Sequence, residues 1–228
     1  GSLLSLTTYL RHTAIHMAFQ CYAQLYLSEI WPDEAASNVI VPLSLPRFVY
    51  RAHCCARYVV LHEILETLNQ ENLVMVEIGV HRALVAEYLL PRLPGLHYLG
   101  VDSYRPPYHE KLYAEALGRL SPFGSRARLL REESSIAWNG SLSIPGLNLD
   151  SVDLLFVDGD HSFDAALKDI QSWSRLVRPG GIIAGHDFLH PGLHGVAEAI
   201  LQLLEPASEV NLASDFVFWW RNDPVASE

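Results

Sequence analysis

Two aspartates and a histidine stand close together in the second half of the chain, directly after a run of apolar residues. Asp158, Asp160 and His161 lie within the stretch "FVDGDHSF", which follows "VDLL". Asp and Gly are ordinary turn residues, so a plain turn is one interpretation. Carboxylates and imidazoles also bind cations and move protons, and a strand that ended here would deliver them to a site.

A second acidic position follows the next apolar run. His186 and Asp187 end the stretch "GIIAGHD". Neighbouring strands of a sheet lie roughly 5 Å apart, so Asp158 and Asp187 can converge on one cation if their strands are adjacent. Oxygen ligands suit Mg²⁺ or Mn²⁺, and His161, shortly after its strand, would face the same pocket.

A glycine turn and a further acid occur upstream. The run "LVMVEIGV" ends after Glu77 and Gly79, where glycine lets the backbone turn sharply and approach a ligand. Asp102 lies 23 residues after Gly79, a spacing typical of an acid that binds a ribose diol. His81 and Ala83 stand where a dinucleotide fingerprint has glycines, which argues against a pyrophosphate and hence against NAD. A nucleoside without phosphates remains open.

These residues need a sheet to position them, and the apolar pattern predicts one. Short apolar runs alternate with amphipathic stretches from residue 73 onward, which is typical of a parallel sheet covered by helices on both faces. Right-handed crossovers place the carboxyl ends of all such strands on one edge, where ligands bind. The predicted strands span residues 73–80, 96–102, 126–132, 152–158 and 181–187.

The C-terminal part predicts an antiparallel hairpin. Its segments "SEVNLA" and "DFVFWWR" are joined by so few residues that they can only run antiparallel. The predicted fold class is therefore α/β, a Rossmann-like doubly wound seven-stranded sheet of five parallel strands plus this hairpin. We assign it to residues 71–228.

Residues 3–70 contain no glycine and carry apolar residues at helical spacing over long stretches, which predicts a helical N-terminal extension. Its apolar faces need burial, so we expect it to pack over the edge of the sheet that carries the site. The segment "YLRHTAIHMAFQCYAQLYL", residues 9–27, is our candidate for a homodimer contact. The alternative is a monomer in which the extension packs on the flank of the sheet.

Composition narrows the class of partner. The net charge is −10, half of the residues are hydrophobic and 18% are charged, which is typical of a globular protein and unfavourable for binding nucleic acid. Three cysteines without a CxxC spacing favour a reducing compartment, and no run of 18 apolar residues indicates a membrane span. We expect a cytoplasmic protein with no nucleic-acid or membrane partner.

Four features resemble successive motifs of class I S-adenosylmethionine-dependent methyltransferases. They are "VEIGV", Asp102, "VDLLFVDGDHSFDAALKDIQSW" and "RPGGIIAGHDF". Within that superfamily, the last two are similar to a branch of small-molecule O-methyltransferases of the sugar and antibiotic type. The resemblance covers residues 73 to about 221 and implies S-adenosylmethionine as the cofactor.

The resemblance assigns seven residues to the cofactor. In the superfamily, the acid and glycine of the first strand hold the methionine part, the acid that ends the second strand holds the ribose, and the segment after the third strand lines the adenine. With the neighbouring serine and the acid that ends the fourth strand, those positions are Glu77, Gly79, Asp102, Ser103, Glu133, Ser134 and Asp158.

The resemblance also implies a metal site. In metal-dependent members, the acids that end the fourth and fifth strands hold Mg²⁺, and Asp158 and Asp187 match those positions. His186, a third candidate ligand, stands where Asp is more usual. Catechol-type members have a Lys base where this chain has His161.

Methyl transfer from a sulfonium fits these residues. The reaction needs an oxygen nucleophile that has lost its proton and is held near the methyl group. A divalent cation lowers the pKa of a bound hydroxyl, and His161 can take the proton. Asp160 would either support the metal ligands from outside or serve as an alternative base. The sequence thus predicts metal-assisted O-methylation of a small hydroxylated molecule, with the acceptor left open.

Two other functions remain open. A methyltransferase fold retained as a binding module would also account for the missing glycines and for the histidine at position 186. A non-haem iron enzyme would draw its two histidines and one carboxylate from Asp158, His161, His186 and Asp187.

Overall fold

The computed structural model describes residues 47–50, 56–105, 109–138, 151–190, 192–204 and 209–223. In these residues, eight strands form one sheet, and α-helices flank it. The strands are β1 (Arg47–Tyr50), β2 (Leu73–Ile78), β3 (Leu96–Asp102), β4 (Ala127–Arg131), β5 (Val152–Val157), β6 (Val177–Gly185), β7 (Glu209–Leu212) and β8 (Phe218–Arg221). The helices are α1 (Arg57–Glu66), α2 (Leu84–Leu89), α3 (His109–Leu120), α4 (Ser134–Ala137), α5 (Phe163–Trp173) and α6 (His194–Leu203), with 3₁₀ turns at Ser121–Arg126 and Ser174–Leu176.

The strand order in the sheet is β1-β7-β8-β6-β5-β2-β3-β4. Strands β2 to β6 are mutually parallel, and β8 pairs antiparallel with both β6 and β7. The chain order reverses between β2 and β5, which are direct neighbours. The carboxyl ends of β2, β3, β5 and β6 therefore meet at the switch point, where α/β sheets bind ligands.

Strand alternation explains why helices cover both faces. On the central strand β5, Leu154 and Phe156 face one apolar core, while Leu155 and Val157 face the other. Helices α1 to α3 contribute to the first core, and α4 to α6 contribute to the second. Strand β5 is buried at every position, as expected for a strand covered on both faces.

The predicted fold class is confirmed, with two differences in extent. Strand β1 adds an eighth strand, parallel to β7, within the stretch for which the sequence predicted a helical extension. A run of four residues beside a proline carries too little pattern to be recognised. Strand β6 begins at Val177 rather than at residue 181, because its register shifts against β5 and Gly180 takes a positive φ of 75°, so the strand continues through "RPGG".

Two pieces of the predicted N-terminal extension are described, and both join the sheet domain. Strand β1 pairs with β7, and α1 buries Val60, Leu61 and Leu65 in the core that it shares with α2. The predicted helix over residues 9–27 lies outside the described residues, and the domain boundary at residue 70 stays a prediction. Among the described helices, none is both long and apolar enough to cross a bilayer.

Candidate active site

The acid predicted to hold the cofactor lies inside the sheet. Glu77, near the end of β2, is 2% exposed, and the Tyr98 hydroxyl donates a hydrogen bond to its carboxylate. Burial raises the pKa of Glu77 to about 8, although the Tyr98 hydrogen bond opposes the shift. A cationic group that entered next to Glu77 would stabilise the carboxylate, so this position suits an ammonium or sulfonium ligand.

Gly79 brings the ends of β2 and β5 together. Its φ is +88°, and a Cβ at this position would lie 2.1 Å from the carbonyl oxygen of Asp158. The Asp158 N–H donates to the Ile78 carbonyl at 2.8 Å, so the two strand ends touch through their backbones. Only glycine fits here, because a side chain would clash with the backbone at the end of β5. The predicted approach of this backbone to a ligand stays a prediction.

The Asp102 carboxylate organises the loop that follows β2. Its Oδ2 accepts hydrogen bonds from the N–H groups of Val80 (3.0 Å) and His81 (2.8 Å), and its Oδ1 accepts one from Tyr104 N–H (2.9 Å). His81 and Ala83, the positions that lack the fingerprint glycines, have φ of 51° and 57°. The loop thus keeps a glycine-like backbone without glycine, a form of strain that is common at ligand sites. We call Glu77, Gly79 and Asp102 the glycine-loop pocket.

The other predicted cofactor residues, Ser103 after β3 and Glu133 and Ser134 after β4, line the same cavity. Ser103 is half-buried, and Glu133 pairs with Arg105. The Ser134 hydroxyl donates to Asp169 at 2.5 Å. Burial raises the pKa of Asp169, and the Ser134 hydrogen bond opposes this. Asp169 lines this cavity as well.

Four side chains meet at the ends of β5 and β6. Nε2 of His161 lies 2.8 Å from Oδ2 of Asp187 and 3.9 Å from Oδ1 of Asp158. Nδ1 of His186 lies 2.9 Å from the same Asp187 oxygen and 3.6 Å from the same Asp158 oxygen. We call Asp158, His161, His186 and Asp187 the carboxylate–histidine cluster. Three of its members were predicted ligands, and the fourth was the predicted base.

Three members of the cluster, Asp158, His161 and Asp187, have donor atoms that all lie within 4.8 Å of one another, which is the spacing of a cation site. Within the described residues, neither His161 Nε2 nor His186 Nδ1 has a hydrogen-bond partner of suitable geometry, although both are buried atoms. His186 as a whole is 5% exposed. Ligands about 2.1 Å from an octahedral ion lie about 3 Å apart, so the observed separations suit one divalent cation. The buried nitrogens aimed at two carboxylates therefore fit a metal.

Electrostatics in the cluster follow from these contacts. Contacts with Asp158 and Asp187 raise the pKa of His161 to about 9. Burial works against ionisation of Asp187, but its two histidine contacts outweigh burial and lower its pKa. Asp187 also has a positive φ of 64°, which turns its side chain at the strand end. A positive charge at this point is thus strongly favoured.

Asp160, the alternative base of the sequence analysis, makes a different contact. Its Oδ1 accepts a hydrogen bond from Ser162 N–H at 2.8 Å, directly before α5. This bond lowers the pKa of Asp160, which makes it a weak base. The side chain is exposed and lies on the wall of the same cavity, and its catalytic role stays a prediction.

Three site residues escaped the sequence analysis. Arg57 on α1 donates to Asp158, and Asp215, in the turn between β7 and β8, contacts both Arg57 and His186. Asp169 faces the cavity from α5. Of these three, only Asp169 could have been recognised from the sequence, because it is an acid on the otherwise apolar face of an amphipathic helix.

The glycine-loop pocket and the carboxylate–histidine cluster share one open cavity of about 1220 Å³. This volume exceeds that of a typical small-molecule site and leaves room for two ligands side by side. Asp158 lies at the junction, with Gly79 against its backbone and His186 against its side chain. A group transferred from a ligand of the pocket would meet an acceptor at the cluster.

Residues 76–188, just under half of the chain, match a family model described as a methyltransferase domain. The search of curated proteins finds no match. Among solved structures, the O-methyltransferase TomG from Streptomyces achromogenes, involved in tomaymycin synthesis and solved with S-adenosylmethionine, is 17% identical with a TM-score of 0.51, covering 90% of this chain and 89% of TomG.

Two further structures have the same fold. CalS11, a TDP-rhamnose 3′-O-methyltransferase of calicheamicin biosynthesis, is 13% identical with a TM-score of 0.54, covering 73% of this chain and 80% of that one. A cofactor-bound protein from MTB is 14% identical with a TM-score of 0.54, covering 80% and 85%. The family model therefore indicates a methyltransferase domain over residues 76–188, and the solved structures share its Rossmann-like fold.

Proposed function

We propose that this protein transfers the methyl group of S-adenosylmethionine to a hydroxyl of a small molecule, with a divalent cation at the carboxylate–histidine cluster. The observation that carries the proposal is the shared cavity, in which a pocket suited to a cationic nucleoside adjoins Asp158, His161 and Asp187, three side chains spaced closely enough to hold one cation. In the reaction, the carbon–sulfur bond breaks and its electron pair stays on sulfur, while the acceptor oxygen forms the new carbon–oxygen bond.

The glycine-loop pocket would hold the cofactor by charge and hydrogen bonding. S-adenosylmethionine supplies a methyl group on a positively charged sulfur. Glu77 would face its ammonium and sulfonium groups, and Asp102, already oriented by three N–H groups, would accept from the ribose hydroxyls. Ser134 and Asp169 would contact the adenine.

The carboxylate–histidine cluster would hold Mg²⁺ or Mn²⁺ and the acceptor. A cation held there would lower the pKa of a hydroxyl bound to it. Asp158, Asp187 and His186 are the proposed ligands. His161 is close enough to serve as a fourth ligand or to receive the acceptor proton. The variant His161→Gln separates these roles, because loss of Mn²⁺ affinity identifies a ligand, whereas retained affinity with lost turnover identifies a base.

Calorimetry with S-adenosylmethionine tests the cofactor assignment. We expect saturable binding that Glu77→Gln weakens more than tenfold, because the buried carboxylate is the partner of the cationic groups. Glu66→Gln, on the exposed side of α1, is the control for loss of a carboxylate and should bind normally. Absence of binding at millimolar cofactor would favour a binding module without methyltransferase activity.

A screen of hydroxylated metabolites for cofactor turnover tests the acceptor class. CalS11 is described as acting on a sugar and TomG as taking part in tomaymycin synthesis, so sugars and antibiotic precursors are the first acceptors to try. We expect turnover to depend on added Mg²⁺ or Mn²⁺ and to stop with a chelator. Unchanged turnover in the chelator would contradict the cation assignment.

A non-haem iron enzyme is the second candidate, because His161, His186 and either carboxylate also make a two-histidine, one-carboxylate set. Metal analysis of protein purified without chelator separates the two. Stoichiometric iron would favour this candidate, and Mg²⁺ or Mn²⁺ would favour methyl transfer.

The N-terminal extension is proposed to cover the cavity and to join two subunits. Arg57, which belongs to the extension, contacts the site directly and supports the first part. Light scattering tests the dimer, and turnover of a variant that lacks residues 3–40 tests the cover.

A further inference from the structure

Two charged residues outside the family-matched span contact the carboxylate–histidine cluster. They are Arg57, at the start of α1, and Asp215, in the β7–β8 turn. The family match covers residues 76–188 only, so both belong to parts of this chain that the family model leaves out. We call Arg57 and Asp215 the outer pair.

The two carboxylate oxygens of Asp158 have different neighbours. Nη1 of Arg57 donates to Asp158 Oδ2, while both cluster histidines lie nearest to Asp158 Oδ1. The Asp158 carboxylate is therefore held with one oxygen against the guanidinium and the other towards the proposed cation. A ligand fixed in this way binds through a single oxygen.

The two carboxylate oxygens of Asp215 also have different neighbours. Its Oδ2 accepts hydrogen bonds from the backbone N–H of Arg57 at 2.7 Å and from the Arg57 side-chain Nε at 3.3 Å. The first of these bonds provides an acceptor for an N–H group in the first turn of α1. Oδ1 of Asp215 lies 3.4 Å from Nε2 of His186. Since Nε2 faces Asp215, the other ring nitrogen, Nδ1, is the one that faces the cluster.

We infer that Arg57 and Asp215 are positioning residues for the cation site. They set the rotation of the Asp158 carboxylate and the tautomer of the His186 ring. A carboxylate behind a ligating histidine is a common support in metal sites, and its removal typically costs 10–100-fold in metal affinity. This inference rests on the cation assignment made under the proposed function.

Charge and positioning predict opposite results for one variant. Arg57→Gln removes a positive charge near the site, so electrostatics alone would tighten cation binding. Loss of positioning would weaken it. Asp215→Asn should weaken cation binding under both explanations, because it removes a negative charge and a positioning contact. Weaker binding in both Arg57→Gln and Asp215→Asn is therefore expected only if the two residues position the ligands.

The test is a titration of the full chain with Mn²⁺, read from the electron paramagnetic resonance signal of the free ion and the line shape of the bound ion. We expect Arg57→Gln and Asp215→Asn each to weaken Mn²⁺ binding by about tenfold or more and to change the bound line shape. Arg57→Lys keeps the charge but can reach one carboxylate at a time, so its affinity should lie between those of Arg57→Gln and the natural protein.

Arg178 provides a matched control. Its Nε lies 2.6 Å from Asp153, and Asp153 in turn accepts a hydrogen bond from Val74 N–H at 2.7 Å, so this ion pair has the same chemistry remote from the cluster. Arg178→Gln should leave Mn²⁺ affinity unchanged. Circular dichroism of each variant checks the fold.

Two outcomes contradict the inference by different routes. If the natural protein binds Mn²⁺ and Arg57→Gln binds it equally or more tightly, the outer pair has no positioning role. If the natural protein itself binds no Mn²⁺, the cation part of the proposed function fails, and the inference fails with it.

Discussion

The glycine-loop pocket and the carboxylate–histidine cluster share one cavity but are held in place by different contacts. In the pocket, Asp102 is fixed by three backbone N–H groups and Gly79 by a backbone approach. In the cluster, side chains contact side chains, and the outer pair that contacts it joins the side chains of Arg57 and Asp215 across 158 residues of sequence. A pocket built on backbone follows from the fold, whereas a cluster built on ion pairs depends on each partner.

Gly79→Ala should give the largest effect, because Gly79 joins the two regions. The new methyl group would clash with the backbone of Asp158 and would require a positive φ. We expect a loss of about 3–5 kcal/mol in the free energy of unfolding, measured with urea. Gly118→Ala, in the last turn of α3 with no atom near the new methyl group, is the control and should stabilise by about 0.5 kcal/mol. Equal stabilities for the two variants would mean that the strand ends do not touch.

Asp187→Asn should damage the cluster alone. We expect turnover to fall by about 10²–10³-fold, since the cation and the contact with His161 are both weakened, while S-adenosylmethionine affinity stays within about threefold. Calorimetry and turnover of the same sample check this. Asp164→Asn, an exposed acid on the cavity wall, is the control. A parallel loss of cofactor affinity in Asp187→Asn would show that the two regions are not separable.

Glu77→Gln should weaken cofactor binding and should raise the stability of the cofactor-free protein at high pH. Folding raises the pKa of Glu77 from 4.5 to about 8, so the folded state binds this proton more tightly than the unfolded state. Stability from this group is complete below pH 4.5 and is lost as the pH rises to about 8. Glutamine does not ionise and so does not lose this stability. The free energy of unfolding of the variant should therefore exceed that of the natural protein by on the order of 2–4 kcal/mol at pH 8 and by little at pH 5.

Thermal unfolding of both proteins without cofactor, at several pH values, measures this difference. Glu110→Gln is the control, because Glu110 is an exposed partner of Arg131. A difference between Glu77→Gln and the natural protein that does not change with pH would contradict the raised pKa.

Asp102→Ala should give the smallest of these effects and should affect only the pocket. We expect S-adenosylmethionine affinity to fall by about 1–3 kcal/mol, because the ribose hydroxyls and three N–H groups lose their acceptor. Mn²⁺ affinity should not change. Calorimetry with each ligand checks both statements, and unchanged cofactor affinity in the folded variant would mean that β3 does not end at the ribose.

The same contrast explains how much the sequence could predict. Strand ends follow from apolar runs, so Asp102, Asp158 and Asp187 could be placed on one edge from the alternation alone. The role of Gly79 was predicted only in part, because the requirement for glycine comes from β5, a partner distant in sequence. The fold class needed no more than the order of the runs and the short hairpin link.

The outer pair could not be predicted, for a physical reason. Arg57 and Asp215 meet only because α1 packs beside the β7–β8 turn, and no local spacing records that contact. Asp215 and Phe216 have φ of 57° and 52°, so a tight turn interrupts what the sequence presents as the start of a strand. Side-chain networks between remote segments require coordinates.

The central claim is that cofactor and cation lie side by side in one cavity. S-adenosylmethionine labelled with ¹³C at its methyl group tests it most directly, since Mn²⁺ broadens the nuclear magnetic resonance signal of a nearby methyl group. We expect the bound methyl signal to broaden strongly on adding Mn²⁺ to the natural protein and to stay sharp in Asp187→Asn, which still binds the cofactor. A bound methyl signal that Mn²⁺ leaves sharp in the natural protein would contradict the account.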